Sequence, residues 1–378
     1  ATLPGNVSYD NIPPAYYFYQ VVFGQSPVAS LTIADGSPFI SHEAFNGVTS
    51  LTSVTIPSSV SSIQYNAFAL CLGLTSITIP DSVTDLQSGS FAACTNLTSV
   101  TLGQGITTLE AAFQRCSSLG RITIPDSVTK IGINAFRDCL NLTNVVIPCS
   151  LTSIGSSAFA GCKKLPAISI PNGVTIIGEG AFAGCWSLKG IVIPSGVTSI
   201  EPSTFASCLS ATNITIPNTV TNIGSASFYE CYSLRSVAIP SGVTTIPIQA
   251  FRYCGSLTNI TIPGGVTYIG VSTFSDCANL AQVSIPNTVT GIGAGAFQNC
   301  PSLLNVVIPP GVASLETSVF QNCFSLASAG MPAGLTNIGF SAFVNCSNLT
   351  SLLIPDGLTS LDPTALGNCS RRPSVTLS

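Results

Sequence analysis

Apolar residues recur along this chain with a long period rather than with the short period of one helix or strand. In Leu74-Thr-Ser-Ile-Thr-Ile-Pro80, Ile77 and Ile79 alternate with Ser76 and Thr78, which is the two-residue alternation of a half-buried strand. Pro80 ends the strand, because Pro has no N–H to give to a ladder. Val83 and Leu86 predict a second, shorter inward-facing stretch. Phe91 and Cys94, three residues apart, predict one helical turn that closes the unit. The same pattern restarts at Leu97.

Phe recurs at 45, 68, 91, 113, 136, 159, 182, 205, 228, 251, 274, 297, 320 and 343, with Leu366 next in line. Every step is 23 residues except Phe91 to Phe113, which is 22, and the missing residue lies between Leu109 and Phe113. A cysteine follows three residues after each of these positions from Phe68 onward: 71, 94, 116, 139, 162, 185, 208, 231, 254, 277, 300, 323, 346 and 369. One such unit cannot bury its apolar face alone, so the coils must stack strand on strand. The expected strands centre near Leu31, Val54, Ile77, Val100, Ile122, Val145, Ile168, Ile191, Ile214, Val237, Ile260, Val283, Val306, Ala329, Leu352 and Val375. Stacked at the usual inter-strand spacing they predict a rod of roughly 70 Å. The organisation expected is an N-terminal segment, 1–27, followed by a single solenoid, 28–378.

The repeated L-x-x-(I/V)-x-I-P-x-x-V-T-x-I-G-x-x-A-F-x-x-C resembles the BspA-like leucine-rich repeat over residues 28 to 378. The resemblance implies a mostly β leucine-rich-repeat solenoid of about 15 coils, with parallel ladders and one short helical turn per 23-residue coil. It also implies a secreted or cell-surface protein, since members are typically surface or secreted proteins and several are adhesins. No catalytic residues belong to the family pattern, so none are carried over.

Composition narrows the function further. Only 7% of residues are charged and the net charge is -4, which disfavours a nucleic-acid binder, whose footprint is a basic stripe. Pro, Gly, Ser and Thr interrupt every apolar stretch before it reaches the length of a membrane span. The single histidine, His42, reads as structural, and Asp81 with Asp126, or Glu316 with Asp362, sit two coils apart, too far to share one metal ion. The expectation is a non-enzymatic protein with no cofactor.

The cysteine column takes an inward position, where Cys acts as a small hydrophobe, and is read as buried free thiols rather than disulfides between coils. Cys149 stands outside the column, after Pro148, and is the odd exposed cysteine. Thr follows the inward Val in most coils, a column read as β-branched packing rather than an ice-binding array. Outward strand residues, among them Thr78, Thr101, Thr123, Thr215 and Thr261, form a hydroxyl-rich stripe suited to a matrix protein or glycan, interrupted by Val146, Val192, Val307 and Leu353. Residues 115–189 collect Arg115, Arg121, Lys130, Arg137, Lys163, Lys164 and Lys189, a basic region open to an acidic glycan or an acidic part of another subunit. Sequons start at Asn6, Asn96, Asn141, Asn213, Asn259, Asn345, Asn348 and Asn368, and become glycosylation sites if the protein is secreted by a eukaryote.

The ends supply the remaining expectation. Tyr16, Tyr17, Phe18, Tyr19, Val21 and Phe23 form a strand-prone aromatic run, either a cap or a strand that pairs with a neighbouring molecule. Val375 and Leu377 occupy strand positions of a further coil, which leaves an open edge. Together they predict head-to-tail self-assembly into an extracellular fibril, a homopolymer. The alternative is a monomeric surface adhesin that binds through the outward strand face.

Overall fold

Two short strands per repeat and a tight turn region make each coil, and successive coils pair in parallel one repeat apart. The structure is a computed structural model that describes residues 2–3, 28–369 and 374–377. It is a parallel-strand solenoid of about 14 turns set ~23 residues apart. Pairing is in register, so like meets like: Ser76, Ile77 and Thr78 face Ser99, Val100 and Thr101. The chain divides into two units, 1–188 and 189–378.

In the first unit the longer strands run Ser30–Ile33, Ser53–Thr55, Ser76–Thr78, Ser99–Thr101, Arg121–Thr123 and Asn144–Val146. Thr2–Leu3 pairs in parallel with Thr32 and Ile33, on the side of that strand away from Ser53–Thr55. No strand forms around Ile168, contrary to the periodic expectation. Pro166 is the reason: it stands where other coils supply an N–H, as Thr143 does to the Gly120 carbonyl at 2.8 Å, and it has none to supply. The two-residue second strands include Ser62–Ile63, Asp85–Leu86, Lys130–Ile131 and Ser153–Ile154.

In the second unit the longer strands are Gly190–Val192, Asn213–Thr215, Asn259–Thr261, Gln282–Ser284, Asn305–Val307, Ser328–Gly330, Ser351–Ile354 and Ser374–Leu377. The last pairs with Ser351–Ile354 over four residues, as the spacing of Val375 and Leu377 predicts. Around Val237 only an isolated bridge, Asn213 to Ser236, survives. There Ala238 replaces the β-branched Thr215 and Thr261 of the flanking coils and gives up their cross-strand contact.

The core of each unit is a set of columns. Phe45 to Phe182 stack ring on ring in the first unit, and Phe205 to Phe343 in the second, with centroids 5.1 to 5.9 Å apart and nearly parallel planes. The rings from Phe68 to Phe320 are completely buried. The deleted residue leaves a trace. Phe113 sits 5.8 and 5.9 Å from its neighbours, the widest of the first unit's spacings.

The expected helical turn does not form, and among the described residues there is no helix. Two residues of each turn region from Glu43 to Asn345 adopt left-handed backbone, for example Asn66 (φ 54°) and Leu70 (φ 59°), then Gly89 (φ 73°) and Ala93 (φ 57°). Those reversals point alternate N–H groups out of the coil instead of along it. Asn66, Phe68 and Leu70 donate to the carbonyls of Ser88, Ser90 and Ala92 in the next coil at 3.2, 2.8 and 2.8 Å. The turn region is therefore a third inter-coil ladder, and a helix would have spent these donors within one coil.

Two substitutions in the second unit test this packing. Phe251→Ala opens a void in the ring stack and is expected to cost about 3–5 kcal/mol. Ser227 is fully buried with an unpaired hydroxyl in a column that holds Ala135, Ala158 and Ala250 elsewhere. Ser227→Ala is expected to gain about 1 kcal/mol. Urea denaturation midpoints of the two variants against the parent check both signs.

Candidate recognition surfaces

Side-chain donors decide which of the sequence's columns are free to meet a partner. The column cysteines are free thiols, buried except for the half-buried Cys369. Cys71 donates its S–H to the Phe45 carbonyl at 3.2 Å, Cys94 to Phe68 at 3.1 Å, and Cys277 to Phe251 at 3.2 Å. Burial pushes these thiols up, Cys94 and Cys277 to about 12. They are rungs, not nucleophiles. The Thr column is committed in the same way: Thr152 donates to the Thr129 carbonyl, and Thr336 to Ala313, both at 3.0 Å. Ser82 and Thr288 do likewise toward Val60 and Val266 at 2.7 Å.

The outward strand face is different. In the first unit Thr78, Thr101 and Thr123 are exposed at equivalent positions, with Arg121 beside them and Val146 at the end. In the second unit Thr215 and Thr261 line two adjoining depressions of about 520 and 590 Å³ that share Asn259 and Thr261. Asn213, Ser236, Gln282, Ser284 and Asn305 supply further amides and hydroxyls, and no charged residue lines either depression. Val307 closes one end and is 74% exposed. This is a neutral, wettable groove with an apolar lip.

The basic region separates by face. Arg121 and Lys130 lie on the first and second strands, whereas Arg115, Arg137 and Lys163 lie on the turn side of the first unit. Asp138 Oδ2 sits 3.9 and 3.7 Å from the Nε atoms of Arg115 and Arg137, and Lys163 Nζ lies 4.0 Å above the Trp186 ring. Surface pairs of this kind contribute at most about 1 kcal/mol each. Lys189 belongs to the second unit. Cys149 is exposed. His42 is exposed too, and its backbone N–H donates to Gln64 at 3.1 Å. Among the described residues no three His, Cys, Asp or Glu side chains gather to hold a metal ion, and no helix is long and apolar enough to cross a membrane.

The sequons fall into three groups. Asn96, Asn141 and Asn348 are exposed just before a coil's first Leu, and Asn213 and Asn259 stand on the groove. Asn345 and Asn368 are tied into an amide ladder that the sequence reading missed. Asn299 donates to Asp276 at 2.7 Å, Asn322 to Asn299 at 2.7 Å, Asn345 to Asn322 at 2.6 Å, and Asn368 to Asn345 at 3.0 Å. All five residues are left-handed, a conformation Asn and Asp tolerate well. At the ladder's head Asp276 pairs with Arg252 at 3.3 Å, and Arg252 lies over Tyr253, against which Tyr229 and Tyr232 pack. Their signal was aromatic and amide residues recurring in the columns beside Cys. Asn6 and the run Tyr16 to Phe23 lie outside the described residues.

A profile of the BspA type leucine rich repeat region, six copies long, matches residues 17–143, 129–257 and 244–372. The chain belongs to the BspA-type leucine-rich repeat family. Two solved structures resemble this chain along most of its length, and a third over part of it. A leucine-rich repeat protein from Bacteroides ovatus is 25% identical, covering 87% of this chain and 91% of that one, with a TM-score of 0.59. A leucine rich cell surface protein from Faecalibacterium prausnitzii is 27% identical, covering 87% and 86%, with a TM-score of 0.50. The T. pallidum leucine rich repeat protein is 34% identical over 43% of this chain and 78% of its own, with a TM-score of 0.41. No curated protein matches the chain. The family supports a non-enzymatic surface or recognition role.

The thiol geometry makes a two-part prediction. A water-soluble thiol reagent is expected to label Cys149 at once in the native BspA-type protein, Cys369 slowly, and all fifteen cysteines only after denaturation. Because folding raises the ladder thiols' pKa, the unfolded chain ionises first. Stability is then full below about pH 9 and falls as pH rises toward the folded values near 12, which denaturation midpoints across pH 8 to 12 will register.

Proposed function

We propose that this chain is a non-enzymatic surface recognition protein whose contact face is the outward side of the longer strands in residues 189–378. The observation that carries the reading is the pair of uncharged depressions that meet at Asn259 and Thr261. Backbone register sets their amides and hydroxyls on consecutive coils, so a partner meets them at a fixed spacing. The absence of charge along the lining favours a neutral partner, an extended protein segment or an uncharged glycan, over a polyanion. A surface location accords with the F. prausnitzii relative, which is described as a cell surface protein. Thr78, Thr101 and Thr123 would extend the same chemistry to the first unit.

Self-association through strand edges is the second reading. Its support is the four-residue pairing of Ser374–Leu377 with Ser351–Ile354, longer than the three-residue pairings of most other coils. At Ser30–Ile33 the outer side is already occupied by Thr2–Leu3. That asymmetry places recognition first.

Two measurements separate the readings. Asn259→Arg combined with Val307→Glu is expected to weaken binding to immobilised matrix proteins or uncharged glycans at least tenfold, about 1.4 kcal/mol, with the fold unchanged by circular dichroism. Unchanged binding would remove the groove from consideration. In sedimentation velocity, self-association predicts concentration-dependent oligomers that Leu377→Pro abolishes, because it removes the N–H equivalent to that of Ile79, which donates to the following coil. A single monomer boundary in the parent protein sinks that reading.

A further inference from the structure

A separate concavity lies on the second strands of the second unit, away from the groove described above. Its walls are Tyr268 and Val271 from one coil and Ser314 and Glu316 from the coil two further on, and its floor is Gly291 and Gly293 of the coil between. Its volume is about 350 Å³. The intervening coil lacks a side chain at both floor positions, so the notch is one coil wide. Two inter-strand steps, about 10 Å, separate its walls.

Glycine is required at Gly293, where backbone lies close, and at Gly291 its small size is what lets the Tyr268 ring approach. A Cβ on Gly291 would come within 2.9 Å of Tyr268 Cδ2, and one on Gly293 within 2.6 Å of the Val271 amide nitrogen. The Tyr268 ring consequently leans across the middle coil while remaining 42% exposed. Opposite it, the exposed Glu316 carboxylate has no hydrogen-bond or ion-pair partner among the described residues. Ser314 Oγ accepts from Asn337 Nδ2 at 2.9 Å, which leaves its O–H free to donate. Thr290, also at the rim, gives its O–H to the Thr267 carbonyl at 3.3 Å and keeps its lone pairs free.

We propose that this notch binds one pyranose ring of a glycan. A pyranose has an apolar C–H face and a rim of hydroxyls that both donate and accept. The Tyr268 ring and Val271 answer the first, as in the apolar lining with few convergent polar groups that marks small-molecule sites. The Glu316 carboxylate accepts from two neighbouring hydroxyls, and Ser314 donates to a third oxygen. Nothing in the notch supplies a positive charge, so acidic sugars are disfavoured. This site does not depend on the strand groove, and the variants that test the two are different.

Saturation-transfer NMR on the full chain, with methyl glycosides of glucose, galactose, mannose and N-acetylglucosamine and with a neutral trisaccharide, tests the proposal. Transfer is expected to the ring C–H protons of at least one of them, and a tighter trisaccharide identifies the end of a chain rather than a free sugar as the natural source. Tyr268→Ala is expected to lower affinity at least tenfold and Glu316→Gln at least fivefold. The Asn259→Arg, Val307→Glu protein should bind the same sugar as the parent does. The proposal is overturned if no sugar receives saturation, if Tyr268→Ala binds as well as the parent, or if lysine amide binds in preference to every sugar, which would make the notch a cation site.

Discussion

Stacked coils bury backbone on both sides, and every carbonyl that faces a neighbour must find a donor there. That constraint governs this protein more than its apolar columns do. Backbone N–H groups meet part of the demand through the two strands and the turn region. Side chains meet more of it: Cys94 reaches the Phe68 carbonyl and Ser82 the Val60 carbonyl, each in the preceding coil. Each such bond contributes only about 1 kcal/mol, but leaving the acceptor dry would cost as much or more. The abundance of Ser, Thr and Cys follows from this, as does the scarcity of charge, since an ammonium or carboxylate cannot occupy a rung without burying its charge.

The proposed contacts fall on what the rungs leave over. The outward positions of the longer strands hold amides and hydroxyls in a fixed register, and the second unit dents that surface where Asn259 and Thr261 stand. Elsewhere on that unit the glycines of one coil leave room beside Tyr268. In both places geometry comes from the backbone spacing, and chemistry from a few substitutions on an otherwise uniform surface.

Much of the fold was legible because its determinants are periodic. The Phe and Cys columns, the Pro after each longer strand and the final strand at Val375 and Leu377 all follow from spacing. The turn region was misread as helical because Phe91 and Cys94 have helical spacing, while the left-handed residues that decide the matter include Leu70, Ala93, Arg115 and Tyr253, none of which favours that conformation. The missing strand at Ile168 was written in Pro166, a local signal outweighed by the period. The threonine stripe was visible in sequence, yet the depressions were not, since they depend on depth between coils. The amide ladder and the Tyr268 notch were hidden for the same reason. They exist only when residues one or two repeats apart are laid side by side.

The cysteine column has one further consequence. Each thiol points its proton at the coil before it, while the turn-region amides of Phe68 and Leu70 point theirs at the coil after. The two faces of a coil are therefore chemically unlike, and the stack has a polarity. Two thiol faces brought together would set thiol against thiol, and two of the opposite faces would set amide against amide and leave the Phe carbonyls unmet, so a twofold joint cannot continue the ladders. Growth by gene duplication escapes this problem, because a copied coil presents its thiol face to the Phe-carbonyl face of its parent. The number of coils is thus free to drift in evolution while their direction is not.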